Sequence, residues 1–256
     1  MTEQNLNQQV RAYWEAEACG TEAKIVGELA RYTPAWFAQI EAYRYAAEPF
    51  IHSWAQFTRY HGKRLLEVGI GAGTDHLQWA RAGAQCYGVD LTDAAIATTQ
   101  AHLALYGLQS SLQRIDAEEL PFDNEFFDVV YSWGVIHHST YPERIVAEIH
   151  RVLKPGGTFI GMMYGRHSLA VFKYWLRHAL VQGKPWRTLS EVVGNHVESV
   201  GTKAYTISEL QGLFAHFAHF SAQPMLTQSD TGRLPQSLCD LLPNRFGWFI
   251  ALRATK

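Results

Sequence analysis

Cysteine is scarce in this chain. The three residues, Cys19, Cys86 and Cys239, are odd in number and widely spaced among 256. Neither a disulfide framework nor a cysteine metal site is expected from them, which suits a reducing, cytoplasmic setting. An excess of charge is lacking too. Lys and Arg number 22 against 24 Asp and Glu, for a formal net charge of −2. That balance argues against a general nucleic-acid binder and leaves room only for a local basic patch. No apolar run approaches the length of a membrane span. The first residues (Glu3, Gln4, Asn5, Gln8, Gln9) are polar where a signal peptide would be apolar. Internal repeats and low-complexity tracts are absent. What remains is a folded, core-forming chain, 47% apolar and 18% charged, long enough for one α/β domain with a large core.

One further absence carries more information. The run Leu65-Leu66-Glu67-Val68-Gly69-Ile70-Gly71-Ala72-Gly73-Thr74-Asp75 takes an apolar strand into alternate glycines and then a helix. Glycine lets such a turn be tight and lets a bound cofactor lie against the backbone. A dinucleotide fingerprint, G-x-G-x-x-G, would need glycine at positions 69, 71 and 74, and position 74 is Thr. A nicotinamide oxidoreductase is therefore disfavoured, and the pattern reads E-x-G-x-G-x-G instead.

Strands and helices alternate after this loop. A helix is predicted over 74–82 with Gly83 at its C-terminal stop, then a strand over 85–90. Thr92 or Asp93 caps a helix to about Tyr106, stopped by Gly107. Strands follow over 111–116 and 127–133, a helix over 142–153, a turn at Lys154-Pro155-Gly156-Gly157, and a strand over 158–164. This rhythm means a parallel, doubly wound sheet with right-handed crossovers. Residues 1–60 fall outside it: mostly helical and rich in aromatics, they are expected to cap the carboxyl end of the first strand. The remainder, 61–256, forms the main domain with a helical insertion over about 165–205. That insertion carries a helix over 168–182 with Leu169, Phe172, Trp175, Leu176, Ala179 and Leu180 on one stripe. A capping box, Thr206-Ile207-Ser208-Glu209, starts the next helix, and strands over 219–227 and 246–254 end the chain.

The glycine run resembles the first motif of the class I S-adenosylmethionine (SAM) methyltransferases. Further motifs are similar to that family in the same order: Asp90 at the second strand's end, Asp116-Ala117-Glu118 with Leu120-Pro121-Phe122, Phe127–Ser132 with Gly134-Val135-Ile136-His137-His138, and Arg151–Gly157. Together they resemble the subgroup that includes the ubiquinone and menaquinone biosynthesis methyltransferases. The resemblance covers residues 60–164 and fades on either side. It implies a Rossmann-like α/β fold, a seven-stranded, mostly parallel sheet in the order 3-2-1-4-5-7-6, with the seventh strand antiparallel. It also implies SAM as cofactor and S-adenosylhomocysteine (SAH) as product. Gly69, Gly71, Gly73 and Asp75 belong to the SAM loop by this resemblance, and Glu67 to the methionine amino group, with the Ser132 carbonyl as a second partner. Asp90 would accept hydrogen bonds from both ribose hydroxyls, and Asp116 from the adenine amino group, while the Ala117 amide donates to the ring. Ile70, Leu91 and Trp133 would sandwich the adenine and line the cleft. Singly, Asp90 and Asp116 read equally well as turn or cap residues; their order and spacing favour the cofactor.

Methyl transfer is mostly alignment, because the sulfonium is already a good leaving system. A base helps if the acceptor is a hydroxyl or a protonated amine. His137 and His138 follow the fourth strand, at the edge where the site should lie. In extended chain they point to opposite faces, so one can face the acceptor, and His137 is taken as that residue. Both also read as structural histidines of the loop. A zinc pair lacks a third ligand nearby, so no metal is expected. Tyr164, ending the fifth strand, is a further candidate. Tyr13 and Trp14 read as a lid over the site or as anchors of the first helix. Trp175 belongs to the insertion, which carries five basic residues and no acids between Arg166 and Arg187. It suits a lid over a lipid-like or anionic acceptor, a membrane-surface helix, a dimer contact or a solvated face. The expected function is transfer of a methyl group from SAM to a small-molecule acceptor, at oxygen before nitrogen. A quinone or other lipid-like acceptor and a non-catalytic SAM- or SAH-binding role remain as alternatives.

Overall fold

In the computed structural model, residues 4–16, 18, 20–232, 234 and 241–256 are described. Glu3, Cys19 and Cys239 lie outside the described residues. The third cysteine, Cys86, is a buried free thiol.

The strands are β1 (Arg64–Val68), β2 (Gln85–Asp90), β3 (Ser111–Arg114), β4 (Phe127–Trp133), β5 (Leu153–Tyr164), β6 (His219–Met225) and β7 (Phe249–Thr255). They form one sheet in the order β3-β2-β1-β4-β5-β7-β6, with β7 antiparallel to both neighbours. The order and the antiparallel strand agree with the expectation from the motifs. β3 ends two residues early, because its ladder with β2 closes at Arg114 opposite Asp90. That frees Asp116 into the loop beyond the strand. The turn at 154–157 lies within β5 rather than before it. Leu153 pairs with Phe127 and Thr158 with Val129, so Lys154 to Gly157 bulge outward between two ladder segments.

Both faces of the sheet are buried, as parallel strands require. Side chains alternate strictly: Leu65, Val129, Tyr131, Ile160 and Met162 enter one core, and Leu66, Val130, Phe159 and Met163 the other. The first core is covered by α4 (Ile51–Ala55), the short turn Phe57–Tyr60 and α5 (Thr74–Arg81); Ile51, Phe57 and Trp79 belong to it. The second is covered by α7 (Pro142–Val152) and α10 (Ile207–Leu213), through Ile145, Ile149 and Leu210. α6 (Asp93–Ala104) starts at Thr92, whose hydroxyl accepts the Ala95 amide.

The N-terminal residues fold as α1 (Gln4–Ala16), α2 (Ala23–Val26), α3 (Pro34–Ala47) and α4. They carry a third, smaller core of Ile25, Val26, Trp36, Phe37 and Ile40 closed against Ala72 of the glycine loop. This is how the cap reaches the carboxyl ends of the strands. α1 is fastened at its far end: Glu15 accepts the Asp93 and Ala94 amides at the N-terminus of α6, and Arg11 pairs with Asp93 at 2.9 Å.

The insertion differs from its predicted stripe. α8 (Leu169–Trp175) opens at Ser168 and then widens into a π turn, Leu176–Leu180, before α9 (Leu189–His196); α11 (Gln228–Thr231) follows β6. Extra residues per turn rotate the helix faces. Ala170, Val171 and Ala179 are buried, whereas Phe172 and Leu180 are 50% and 47% exposed.

Candidate functional site

A cavity of about 280 Å³ opens where the strand ends meet the cap, and its walls come from both. The glycine loop forms one wall. Gly69, Gly71 and Gly73 all have positive φ, at 80°, 50° and 74°. A Cβ at Gly69 would collide with the Val135 side chain and one at Gly73 would meet Thr99 at 2.8 Å, so these two glycines serve packing. Nothing lies within 4 Å of a Cβ built on Gly71, which leaves that backbone bare toward a ligand. Gly73 itself is not on the cavity wall.

Asp90 and Asp116 stand at the neighbouring strand ends, and both line the cavity. Asp90 Oδ1 accepts the amide and hydroxyl of Thr92 at 2.9 and 2.8 Å, and Oδ2 accepts the Gly71 amide at 3.2 Å. Burial raises its pKa, and these donors oppose the rise. Asp116 accepts the Glu118 amide and, from α1, the side-chain amide of Asn7 at 3.0 Å. Ile70, Leu91 and Ala117 line the same end.

Beneath the loop lies a buried polar floor. Glu67 Oε2 is 2.9 Å from His76 Nδ1, and His76 Nε2 is 2.8 Å from Ser110 Oγ. Ser110 donates to the Cys86 carbonyl, so His76 must donate to Ser110 through Nε2. One proton then remains between Glu67 and Nδ1. Burial pushes Glu67 well above the usual carboxylate range, reinforced by Asp75, and holds His76 down at about 4. The pair is therefore neutral, with the proton on Glu67. Asp75, 4% exposed, accepts from Arg44 at 2.7 Å, Tyr131 at 2.9 Å and Tyr45 at 3.1 Å. Arg44 also pairs with Glu48 at 2.9 Å, and Glu48 accepts from Trp133 Nε1 at 2.6 Å. Arg44, Glu48 and Trp133 thus join cap to sheet. The i,i+4 spacing of Arg44 and Glu48 on α3 is the only sequence signal for this pair, and it does not connect them to the glycine loop. Ser132 donates its hydroxyl to the Val68 carbonyl at 3.0 Å, tying β4 to β1, and is absent from the cavity wall.

The other end of the cavity belongs to β4, β5 and β7, with Trp133, Met162, Tyr164 and Phe249 on its wall. Here the expected orientation of the histidine pair is reversed. Residues 136–138 form a 3-10 turn rather than extended chain. His138 reaches the wall, and His137, fully buried, packs behind it at 3.8 Å between ring centroids from Tyr164. Burial, His138 and Lys203 hold His137 well below the usual histidine range. Glu198, which sequence reasoning missed, comes from the loop after α9 and accepts the Tyr164 hydroxyl at 2.9 Å on each oxygen. No local signal marks it, because its partners are distant in the chain. Trp14 of α1 covers this end, edge-on to His138 at 5.3 Å. Tyr13 faces outward, 47% exposed, and packs on Trp14. Trp175 is not on the wall, since its indole donates to the Arg187 carbonyl within the insertion.

Charge gives the cavity its character. Six acidic side chains face it (Glu48, Glu67, Asp75, Asp90, Asp116 and Glu198), Glu67 holding the proton it shares with His76, against one guanidinium, Arg44. Such a wall repels a pyrophosphate and favours a ligand of net positive charge. SAM, with sulfonium and ammonium against one carboxylate, is such a ligand.

The methyltransferase-domain family matches residues 66–161. That match takes in the glycine loop, β2 to β4 and part of β5. SAM is the cofactor that this family and fold imply. The chain is 44% identical over 108 residues to a phthiotriol/phenolphthiotriol dimycocerosates methyltransferase of Mycobacterium leprae, an alignment spanning 41% of this chain and 39% of that protein. It is 36% identical over 97 residues to a ubiquinone biosynthesis O-methyltransferase of Nitrosococcus oceani, spanning 38% and 41%. The matched region is thus about two fifths of those relatives' own length. Among solved structures, the [4+2]-cyclase SpnF shares the fold with a TM-score of 0.58 at 18% identity, over 99% of this chain and 94% of that one. Among the described residues, no helix is long and apolar enough to cross a membrane.

Proposed function

We propose that this chain transfers the methyl group of SAM to a hydroxyl oxygen of a small-molecule acceptor, releasing SAH. The observation that carries the reading is the two-ended cavity. An anionic end built on the glycine loop is continuous with an aromatic end that holds a phenol, an imidazole and a carboxylate. In this reading Asp90 takes the ribose hydroxyls, Asp116 and the Ala117 amide take the adenine, and Ile70 and Leu91 cover its faces. Asn7 yields its bond to Asp116 to the adenine amino group. Glu67 takes the methionine ammonium; the approach of that cation moves the shared proton to His76 and leaves a carboxylate facing the ligand. Arg44 takes the methionine carboxylate.

Alignment supplies most of the rate, with water excluded under Trp14. The transferred methyl must point toward Tyr164, His138 and Glu198, where an acceptor hydroxyl can give up its proton. His137, behind Tyr164, does not touch the acceptor. A nitrogen acceptor would use the same end. The test is a screen of phenolic, aliphatic hydroxyl and amine acceptors for SAH release. Turnover with hydroxyl acceptors supports the oxygen reading, and turnover confined to amines refutes it.

A lipid-like acceptor is the second reading. Its support is the insertion, where Val181 and Trp186 are 80% and 74% exposed beside Arg177 and Lys184. Activity enhanced by acceptors presented in anionic vesicles would favour it. Cofactor binding and methyl transfer need separate assays, because a [4+2]-cyclase shares this fold.

A further inference from the structure

At the aromatic end of the cavity three side chains converge in a way that neither the fold nor SAM binding requires. His137 and His138 share one turn, and Glu198 arrives about sixty residues later. One ligand atom from each lies within 4.8 Å of the others. Both ring nitrogens of His137, which is fully enclosed, and Nε2 of His138 are buried without a hydrogen-bond partner among the described residues. Buried polar atoms rarely go unpaired, and three in one spot call for an occupant.

The surroundings orient these groups. Two hydroxyls engage His138 Nδ1, Thr202 Oγ1 at 3.0 Å and Ser199 Oγ at 2.9 Å, and Thr202 donates its own proton to the Ser199 carbonyl at 2.6 Å. With Nδ1 occupied by these hydroxyls, Nε2 is the nitrogen left for a ligand, and the tautomer whose Nδ1–H donates to them presents a lone pair there. That lone pair faces Glu198 Oε2 at 3.2 Å, outside hydrogen-bond alignment. In that tautomer two electron-rich atoms stand this close, an arrangement that attracts a cation. Glu198 is fixed in turn by the Tyr164 hydroxyl and adopts φ +54°, a left-handed conformation that a non-glycine residue takes at a cost. The Lys203 ammonium donates to the Ser139 carbonyl at 2.6 Å.

We propose that His137, His138 and Glu198 bind one divalent transition-metal ion of the zinc type, with an open coordination position toward the acceptor end of the cavity. Two imidazoles and a carboxylate are the donor set of catalytic rather than closed structural sites, and imidazole favours zinc, cobalt or iron over magnesium. His138, Glu198 and Tyr164 lie on the cavity wall, so the open position faces the space where an acceptor hydroxyl must stand. This use rests on the methyl-transfer reading. A hydroxyl at that position loses its proton to water more readily. Its oxygen then bonds the methyl carbon as the sulfur–carbon bond breaks, and sulfur keeps the electron pair.

The test uses the untagged full chain, stripped with EDTA and titrated with Zn²⁺ by calorimetry and with Co²⁺ by visible absorption. One equivalent is expected, with Co²⁺ ligand-field bands of a four- or five-coordinate site. Glu198→Gln and His138→Ala should each weaken Zn²⁺ binding about tenfold or more, and Tyr164→Phe, which removes the hydroxyl that orients Glu198, about tenfold. Circular dichroism and retained SAH binding establish that the variants are folded. Glu198 is at the surface, so its variant keeps the test decisive if a His137 variant fails to fold. Absence of stoichiometric binding, or unchanged affinity in Glu198→Gln, overturns the proposal. SAH binding to the metal-free chain is measured separately, so failure of the cofactor reading is distinguishable from failure of the metal site.

Discussion

The two ends of the cavity are built differently. The cofactor end is built on short-range structure, a strand, three glycines and an acid at or just beyond the end of each of the next two strands, to which the cap adds Asn7 and Arg44. The acceptor end is assembled from distant parts of the chain, with Trp14 from α1, Trp133 and His138 from the β4 edge, Tyr164 from β5, Glu198 from the insertion and Phe249 from β7. A loop between consecutive elements can be specified by local backbone requirements, so its residues keep fixed spacing. A wall made by tertiary packing has no such constraint and leaves no spacing to read. The comparison teaches that the cofactor class is set locally, whereas the acceptor is chosen by long-range contacts.

The largest expected effect separates the two ends directly. Glu198→Gln and Tyr164→Phe should lower turnover about a hundredfold, the lower range for loss of proton-transfer assistance, while SAH affinity in calorimetry changes less than about twofold. A parallel loss of SAH affinity would erase the division between the ends. Next in size, Asp90→Ala should weaken SAH binding at least about tenfold, since hydrogen bonds to a charged group contribute about 1.5–3 kcal/mol each. Normal binding by this variant would remove the ribose assignment. Trp14→Ala should act on the acceptor end with a smaller effect, raising the acceptor KM several-fold with the SAH dissociation constant little changed. An equal change in both would make α1 a cover for the whole cavity.

The smallest effect concerns how the cap is held. His102 stacks on Phe37 of α3 at 3.9 Å and contacts the Ala72 carbonyl of the glycine loop through Nδ1 at 3.3 Å. Burial holds it down at about 4 against the usual 6.5. A histidine whose folded pKa is lowered contributes full stability above its unfolded value and loses it as pH falls through 6.5 toward 4. The melting temperature should therefore fall over that window, and His102→Gln should flatten the fall. An unchanged pH profile in that variant would detach the cap from this contact.

Much of the fold was legible because strand alternation, glycine stops and Thr caps are local. Gly83, Gly107 and the Thr206 capping box fall where the spacing puts them. The seven-strand order came from resemblance, since no local rule places β7 between β5 and β6. The insertion stripe failed from its first turn, where Ala170 and Val171 are buried and Phe172 is exposed; the π turn then re-aims the second half, leaving Ala179 buried and Leu180 exposed. At the site, Asp90 and Asp116 were legible as strand-end acids. The histidine pair was legible in place but reversed in orientation, because a 3-10 turn replaces extended chain. Arg44, Glu48 and Glu198 were not legible at all. Their importance lies in partners from other elements, such as Asp75, Trp133 and Tyr164.

Calorimetric titration of the purified chain with SAH tests the central claim most directly. One equivalent should bind with a dissociation constant well below about 1 mM, more than about 4 kcal/mol of binding free energy, and the same titration of Asp90→Ala should show a clear loss. Absence of SAH and SAM binding at that concentration would contradict the assignment of this cavity to the cofactor.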